Sequence, residues 1–179
     1  RERSEGAKVL YRFQKPKAGD FPAMLELFSR AREGLKLSED AHLTPLPIDK
    51  AAASLSAILL DESYYDFLKS MVREVGGIPV LGEAAIIPFK ARAWLDLTRQ
   101  RDEGGNVDEK NIRKHRNDVA RLLQLLSQEA RYELPSSVAD DMRSFVEQAT
   151  AEADYDPRQF KVNMTRDDVA TRLRAAYQL

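Results

Sequence analysis

From Ala85 to the last residue, apolar side chains recur at intervals of three and four, and this constrains the fold more than any other feature of the chain. That spacing gathers them on one side of a helix, and such a stripe must be covered by another surface. The first case is "IIPFKARAWLDL", Ile86 to Leu97. Ile86, Ala93, Trp94 and Leu97 fall along one side of a helix expected from about Ala85 to Arg101, which the glycines of "EGGN" stop. A longer helix is expected over Asp108 to Leu126, with Ile112, Val119, Leu122, Leu123 and Leu126 inward. A third starts near Ser136 and buries Val138, Met142, Phe145 and Val146. The last opens at "TRDDV", where Thr165 and Asp168 have the spacing of a capping box.

Upstream the pattern changes to alternation. "VLYRFQKP" sets Val9, Tyr11 and Phe13 against Leu10, Arg12 and Gln14 until Pro16 ends it. "MLELF" puts Met24, Glu26 and Phe28 on one face of a second strand. After the turn-rich "LTPLPIDK", the stretch "AAASLSAILLDESYYDFL" reads as one or two helices. "MVREVGGIPVL" has the form of a hairpin around Gly76-Gly77, where both turn residues need positive φ. The expectation is an α+β protein: a small mixed β-sheet within residues 1–81, then a helical bundle over 82–179. The helical stripes need somewhere to bury, so the two parts are expected to pack as one unit.

Bulk charge narrows the function classes. The chain has 28 basic and 29 acidic residues, a net charge of −1, which lacks the strong basic excess of a dedicated nucleic-acid binder. It has no cysteine, so disulfides, thiolate metal sites and cysteine nucleophiles are excluded. The longest apolar runs, "LSAILL" and "AAIIPF", are too short to span a bilayer, and a cytoplasmic protein without a membrane partner is expected. The chain opens at Arg1 in charged residues that run straight into a strand, and a further amino-terminal segment is expected before it.

Three places could carry chemistry. Lys90 lies within the apolar stripe, one turn from both Ile86 and Trp94. Either its stem crosses the stripe and the ammonium reaches water, or the stripe lines a cleft where the ammonium meets an anion, most simply a phosphate. In "KNIRKHRNDVARLLQLL", Asn111, His115, Asp118 and Leu122 form a line at the edge of the inner face. Lys114 and Arg121 have the spacing to pair with Asp118 along the helix, which would account for it in full. Otherwise Asp118 orders a lysine or binds a metal ion. A lone histidine in such a place as His115 is more often structural than catalytic. Glu26 points to the same side as Met24 and Phe28, as an edge-strand surface residue or as an inward acid for metal or base work. Phosphate loops, GxGxxG, HExxH and GxSxG are all absent. The only D-x-D, Asp154-Tyr155-Asp156, falls in a loop before Pro157, a poor support for a catalytic pair.

The order of "YRF", "MLELFSR", a hairpin, "LGEAAIIPFKARAWLDL" and "IRKHRNDVARLLQLL" resembles the carboxy-terminal two thirds of a bacterial family, over about Val9 to Leu126. These are the nucleotidyltransferase-like proteins related to the AbiEii/AbiGii toxins of toxin–antitoxin systems. The resemblance implies transfer of a nucleoside monophosphate from an NTP, with Mg²⁺, to an acceptor such as RNA or a tRNA end. Within it Lys90 matches the lysine that holds the triphosphate, and Asp118 matches the aspartate of the following helix. Glu26 corresponds more loosely to a third, metal-side acid. The family's glycine–serine turn and D-x-D strand do not occur in these residues; in the family they precede the region matched here. The alternative is a non-catalytic nucleotide- or protein-binding module of the same fold, with a cognate antitoxin as partner. In the transferase the basic run Arg113, Lys114, His115 and Arg116 would guide an RNA backbone, or else be a solvated helix face.

Overall fold

The computed structural model describes residues 12–14, 24–26, 28–30, 58–60 and 62–179. The chain divides into two compact units, Arg1–Tyr65 and Asp66–Leu179. Its class is α+β, with a helical carboxy-terminal part.

In the first unit, β1 (Arg12–Gln14) pairs antiparallel with β2 (Met24–Glu26), setting Arg12 opposite Glu26. The next described residues form β3 (Phe28–Arg30), which pairs in parallel with β4 (Ile58–Leu60). "MLELF" therefore feeds two ladders with different partners. The apolar "ILL" in the middle of the expected helical stretch 51–68 is a strand, and only α1 (Glu62–Ser70) is helical within the described part of it. Three consecutive apolar residues suit a strand buried on both faces as well as a helix, so periodicity alone does not separate the two.

The second unit opens with a hairpin, β5 (Val72–Val75) and β6 (Ile78–Leu81), in which Val75 faces Ile78. Gly76 and Gly77 have φ of 59° and 78°, the left-handed pair that a two-residue turn requires. The hairpin belongs by compactness with the helices, whereas the expected division at 81/82 set it with the amino-terminal part.

Four further helices follow: α2 (Glu83–Asp102), α3 (Glu109–Leu123), α4 (Ser136–Ala151) and α5 (Arg166–Tyr177), with a 3₁₀ turn at Pro157–Phe160. Asp108 caps α3 by accepting from the Lys110 N–H, and Thr165 and Asp168 close the capping box on α5. The core is built around α2, against which both α3 and α4 pack. Trp94 meets Phe145 edge to face at 5.3 Å, and Ile87, Ile112, Val119, Leu123, Met142, Val169 and Leu173 close around them.

The buried residues of α2 form a stripe at Ala84, Ile87, Pro88, Ala91, Trp94 and Thr98, with Ala85 and Asp96 buried beside it, and this stripe is turned from the expected one, whose Ile86, Ala93 and Leu97 are half-buried. Lys90, within the expected stripe, is half-buried and sits on the flank of the face that packs.

Pro88 is internal to α2 and has no N–H to give the carbonyl of Ala84. The Tyr177 hydroxyl, from the end of α5, donates to that carbonyl at 2.9 Å. One proline in the second unit's first long helix is thus satisfied by the last tyrosine of the chain.

Candidate functional site

Lys90 on α2 and Asp118 on α3 meet across the packed helix pair. The Nζ lies 3.0 Å from Asp118 Oδ2, with the two side chains 27% and 20% exposed. Helical geometry explains the meeting. Ile112, Val119 and Leu123 face inward from α3, and Asp118, one position before Val119, falls at the edge of that face. The ammonium is neither splayed into solvent nor stranded in the core. It is held by a carboxylate from the neighbouring helix at a place that water still reaches. Arg121, three residues on along α3, adds a second cation at 3.3 Å from Asp118 Oδ1 and lies over the Phe160 ring.

His115 stands one turn before Asp118. Its Nδ1 is buried and has no hydrogen-bond partner. Burial, and then the Lys90 ammonium, push the imidazole down to about 4, against the pull of Asp118. It is uncharged at neutral pH.

The remainder of the "RKHR" run divides. Arg113 and Lys114 are exposed, but Arg116 is only 4% exposed and is spent internally. Its guanidinium pairs with Glu152 and, at 3.0 Å, with Asp154, and it lies over the Tyr155 ring at 4.7 Å. The run is therefore not a continuous basic face. Asp154-Tyr155-Asp156 is equally structural: Asp154 serves Arg116, and Asp156 caps the 3₁₀ turn and pairs with Arg158.

A second charged cluster has no counterpart in the sequence reading. Asp96 is 2% exposed on α2 and is held by Arg92 at 3.0 Å and Arg99 at 2.9 Å; Arg92 also grips both oxygens of Asp141 on α4 at 2.8 Å. These residues line a cleft of about 490 Å³ with Thr98 and Gln148. Burial outweighs both guanidiniums and pushes the Asp96 carboxyl up to about 6. The i, i+4 pairing of Arg92 with Asp96 was visible as spacing. Asp141 lies 49 residues away, and no local pattern announces it.

Glu26 closes β2, and its side chain lies outside the described residues. Among the described residues no three carboxylate or imidazole groups converge as a metal site. Nor is any helix there long and apolar enough to cross a membrane.

Comparison with protein-family models, curated proteins and solved structures returns no match. The resemblance set out above therefore rests on the quoted residues.

Proposed function

We propose that the chain is a nucleotidyltransferase-like protein of the toxin–antitoxin kind, which moves a nucleoside monophosphate from an NTP to an acceptor such as RNA or a tRNA end. The observation that supports this reading is the Lys90–Asp118 pair, half-buried and reachable by water. A lysine is a compact point charge suited to phosphate oxygens, and a braced lysine is already oriented when the phosphate arrives. Lys90 holds the triphosphate and Asp118 positions the ammonium. Such a reaction would draw on Mg²⁺ for neutralisation of the phosphate charge. The described residues do not make its site, because Asp118 is engaged by Lys90 and Arg121 and no acidic cluster stands beside it. The metal-side acid would be Glu26 or a residue outside the described set.

The same engagement of Asp118 by two cations supports a second reading. Both oxygens of Asp118 are then already engaged, and the chain would bind a nucleotide or a protein such as an antitoxin without turnover.

Calorimetric titration of NTP with Mg²⁺ tests both. Saturable heat is expected in the unmodified protein and none in Lys90→Ala or Lys90→Met, with unfolding midpoints near that of the parent. Methionine keeps the apolar stem, so loss of binding in both variants belongs to the charge and not to packing. Binding accompanied by released pyrophosphate selects the transferase, and binding alone selects the module. An absence of heat at about millimolar nucleotide, which corresponds to a bound state worth only about 4 kcal/mol, sets both nucleotide readings aside.

A further inference from the structure

Lys90 and Asp118 satisfy one another, but the imidazole beside them is unsatisfied. His115 Nδ1 is buried without a partner, although Asp118 stands one helical turn away, where Cβ atoms are about 5–6 Å apart. A buried orphan lone pair is less costly than a buried orphan N–H, so Nδ1 is taken as the lone-pair nitrogen. The charges acting on the ring are Lys90 from α2, and Asp118 and Lys114 from α3. Burial and the two ammoniums keep it neutral; only Asp118 favours the imidazolium, and Asp118 is turned towards Lys90. For packing alone a leucine would serve that position without an idle polar atom.

We propose that His115 is the second cation of a phosphate site at Lys90: a tetrahedral dianion takes the ammonium, Asp118 turns from Lys90 to His115, and His115 takes up a proton.

The charges balance as follows. Before binding, Lys90, Arg121, Asp118 and neutral His115 sum to one positive charge. With the dianion alone the site would carry one uncompensated negative charge, in half-buried surroundings that solvent screens only in part. The proton comes from water and enters at the idle Nδ1 lone pair, leaving the site neutral. The new Nδ1–H donates to the carboxylate that Lys90 has released, so the buried orphan and the displaced acid satisfy each other. No bond to the ligand forms or breaks. Asp118 exchanges one cation for another, and in this it acts as a positioning residue for both. The inference rests on the reading of Lys90 as a phosphate-binding group. It adds that anion binding carries a proton with it and tightens as pH falls, by up to about tenfold per pH unit while the bound imidazole is charged and the free one is not.

The test uses the full chain and sulfate, a tetrahedral dianion that does not itself titrate near neutrality. The chain has two histidines, His42 and His115, so His115→Gln assigns their ring resonances in a proton NMR titration. Without sulfate, His115 is expected to titrate near 4. With saturating sulfate its titration should move up by at least about one unit. Calorimetry at a pH between the free and bound titrations, in buffers of different ionisation heat, should then show proton uptake in the parent and none in His115→Gln, whose sulfate binding should be weaker and should no longer tighten as pH falls. Sulfate binding that Lys90→Ala removes, with the His115 titration unmoved, overturns this inference and leaves the nucleotide reading standing. Failure of sulfate and nucleotide to bind at all overturns both. Should His115→Gln not fold, the shift of the histidine resonances in the parent decides.

Discussion

Pro88 costs α2 one backbone donor, and Tyr177 supplies the replacement. Removing the hydroxyl with Tyr177→Phe leaves the Ala84 carbonyl buried and unpaired, at an expected cost of about 1–3 kcal/mol. In a Pro88→Ala background the helix recovers its own N–H for that carbonyl, so the same Tyr177→Phe change should cost markedly less. Chemical denaturation of the four proteins of this cycle measures the difference. Equal costs in both backgrounds would mean that the hydroxyl matters for another reason. The same scale shows what single residues disclose in a linear chain. Lys90 was conspicuous because an ammonium in an apolar stripe needs an account. Asp96 passed unremarked, and Arg116 was read only as part of a basic run, because charged residues are ordinary on helices. Their partners Glu152, Asp154 and Asp141 come from elements that only the folded chain brings near.

At the scale of elements, caps and glycines carried the most information. The helix expected over Ala85–Arg101 is Glu83–Asp102, and the one expected over Asp108–Leu126 is Glu109–Leu123, with Leu126 still buried beyond its end. The hairpin and the capping box stand where their residues placed them. Two features were not legible. A short apolar run such as Ile58–Leu60 has no period to read. On α2, the buried stripe is carried largely by alanines, Pro88 and Thr98, which mark a face weakly beside the larger Ile86 and Leu97 on the half-buried flank. The capping box gives a direct check. Thr165 Oγ1 accepts from the Asp168 N–H at 3.1 Å, and the Thr165 N–H donates back to the Asp168 carboxylate at 2.8 Å. Thr165→Ala should destabilise the protein by about 1 kcal/mol, and Thr165→Ser by much less, because serine restores the acceptor. Equal loss for alanine and serine would assign the effect to the methyl group and not to the cap.

Across the whole molecule, two ionisable groups, Asp96 on α2 and His115 on α3, work against each other. Asp96 is raised from 3.8 to about 6 by burial, so the folded chain holds its proton more firmly than the unfolded chain does. Its stabilising contribution is present below about 3.8 and is lost as pH rises through about 6. His115 is lowered from 6.5 to about 4, chiefly by burial and then by Lys90, so here the unfolded chain is the better proton acceptor. Its contribution is complete above 6.5 and is lost as pH falls towards about 4. Each is worth on the order of 1–3 kcal/mol, with opposite slope over nearly the same interval. In the parent the two largely cancel, and their joint contribution to stability should be nearly flat between about pH 4 and 6.5. Single variants should uncover the opposed slopes. Relative to the parent, Asp96→Asn should gain stability as pH rises through this range, with only His115 left to act. His115→Gln should lose stability over the same range, with only Asp96 left. The double variant should return to the slope of the parent. Unfolding midpoints for the four proteins at several pH values test this, and comparison between variants removes every other group that titrates in common. If both single variants bend the same way, the two groups do not oppose each other, and burial of one of them has been offset by its neighbours.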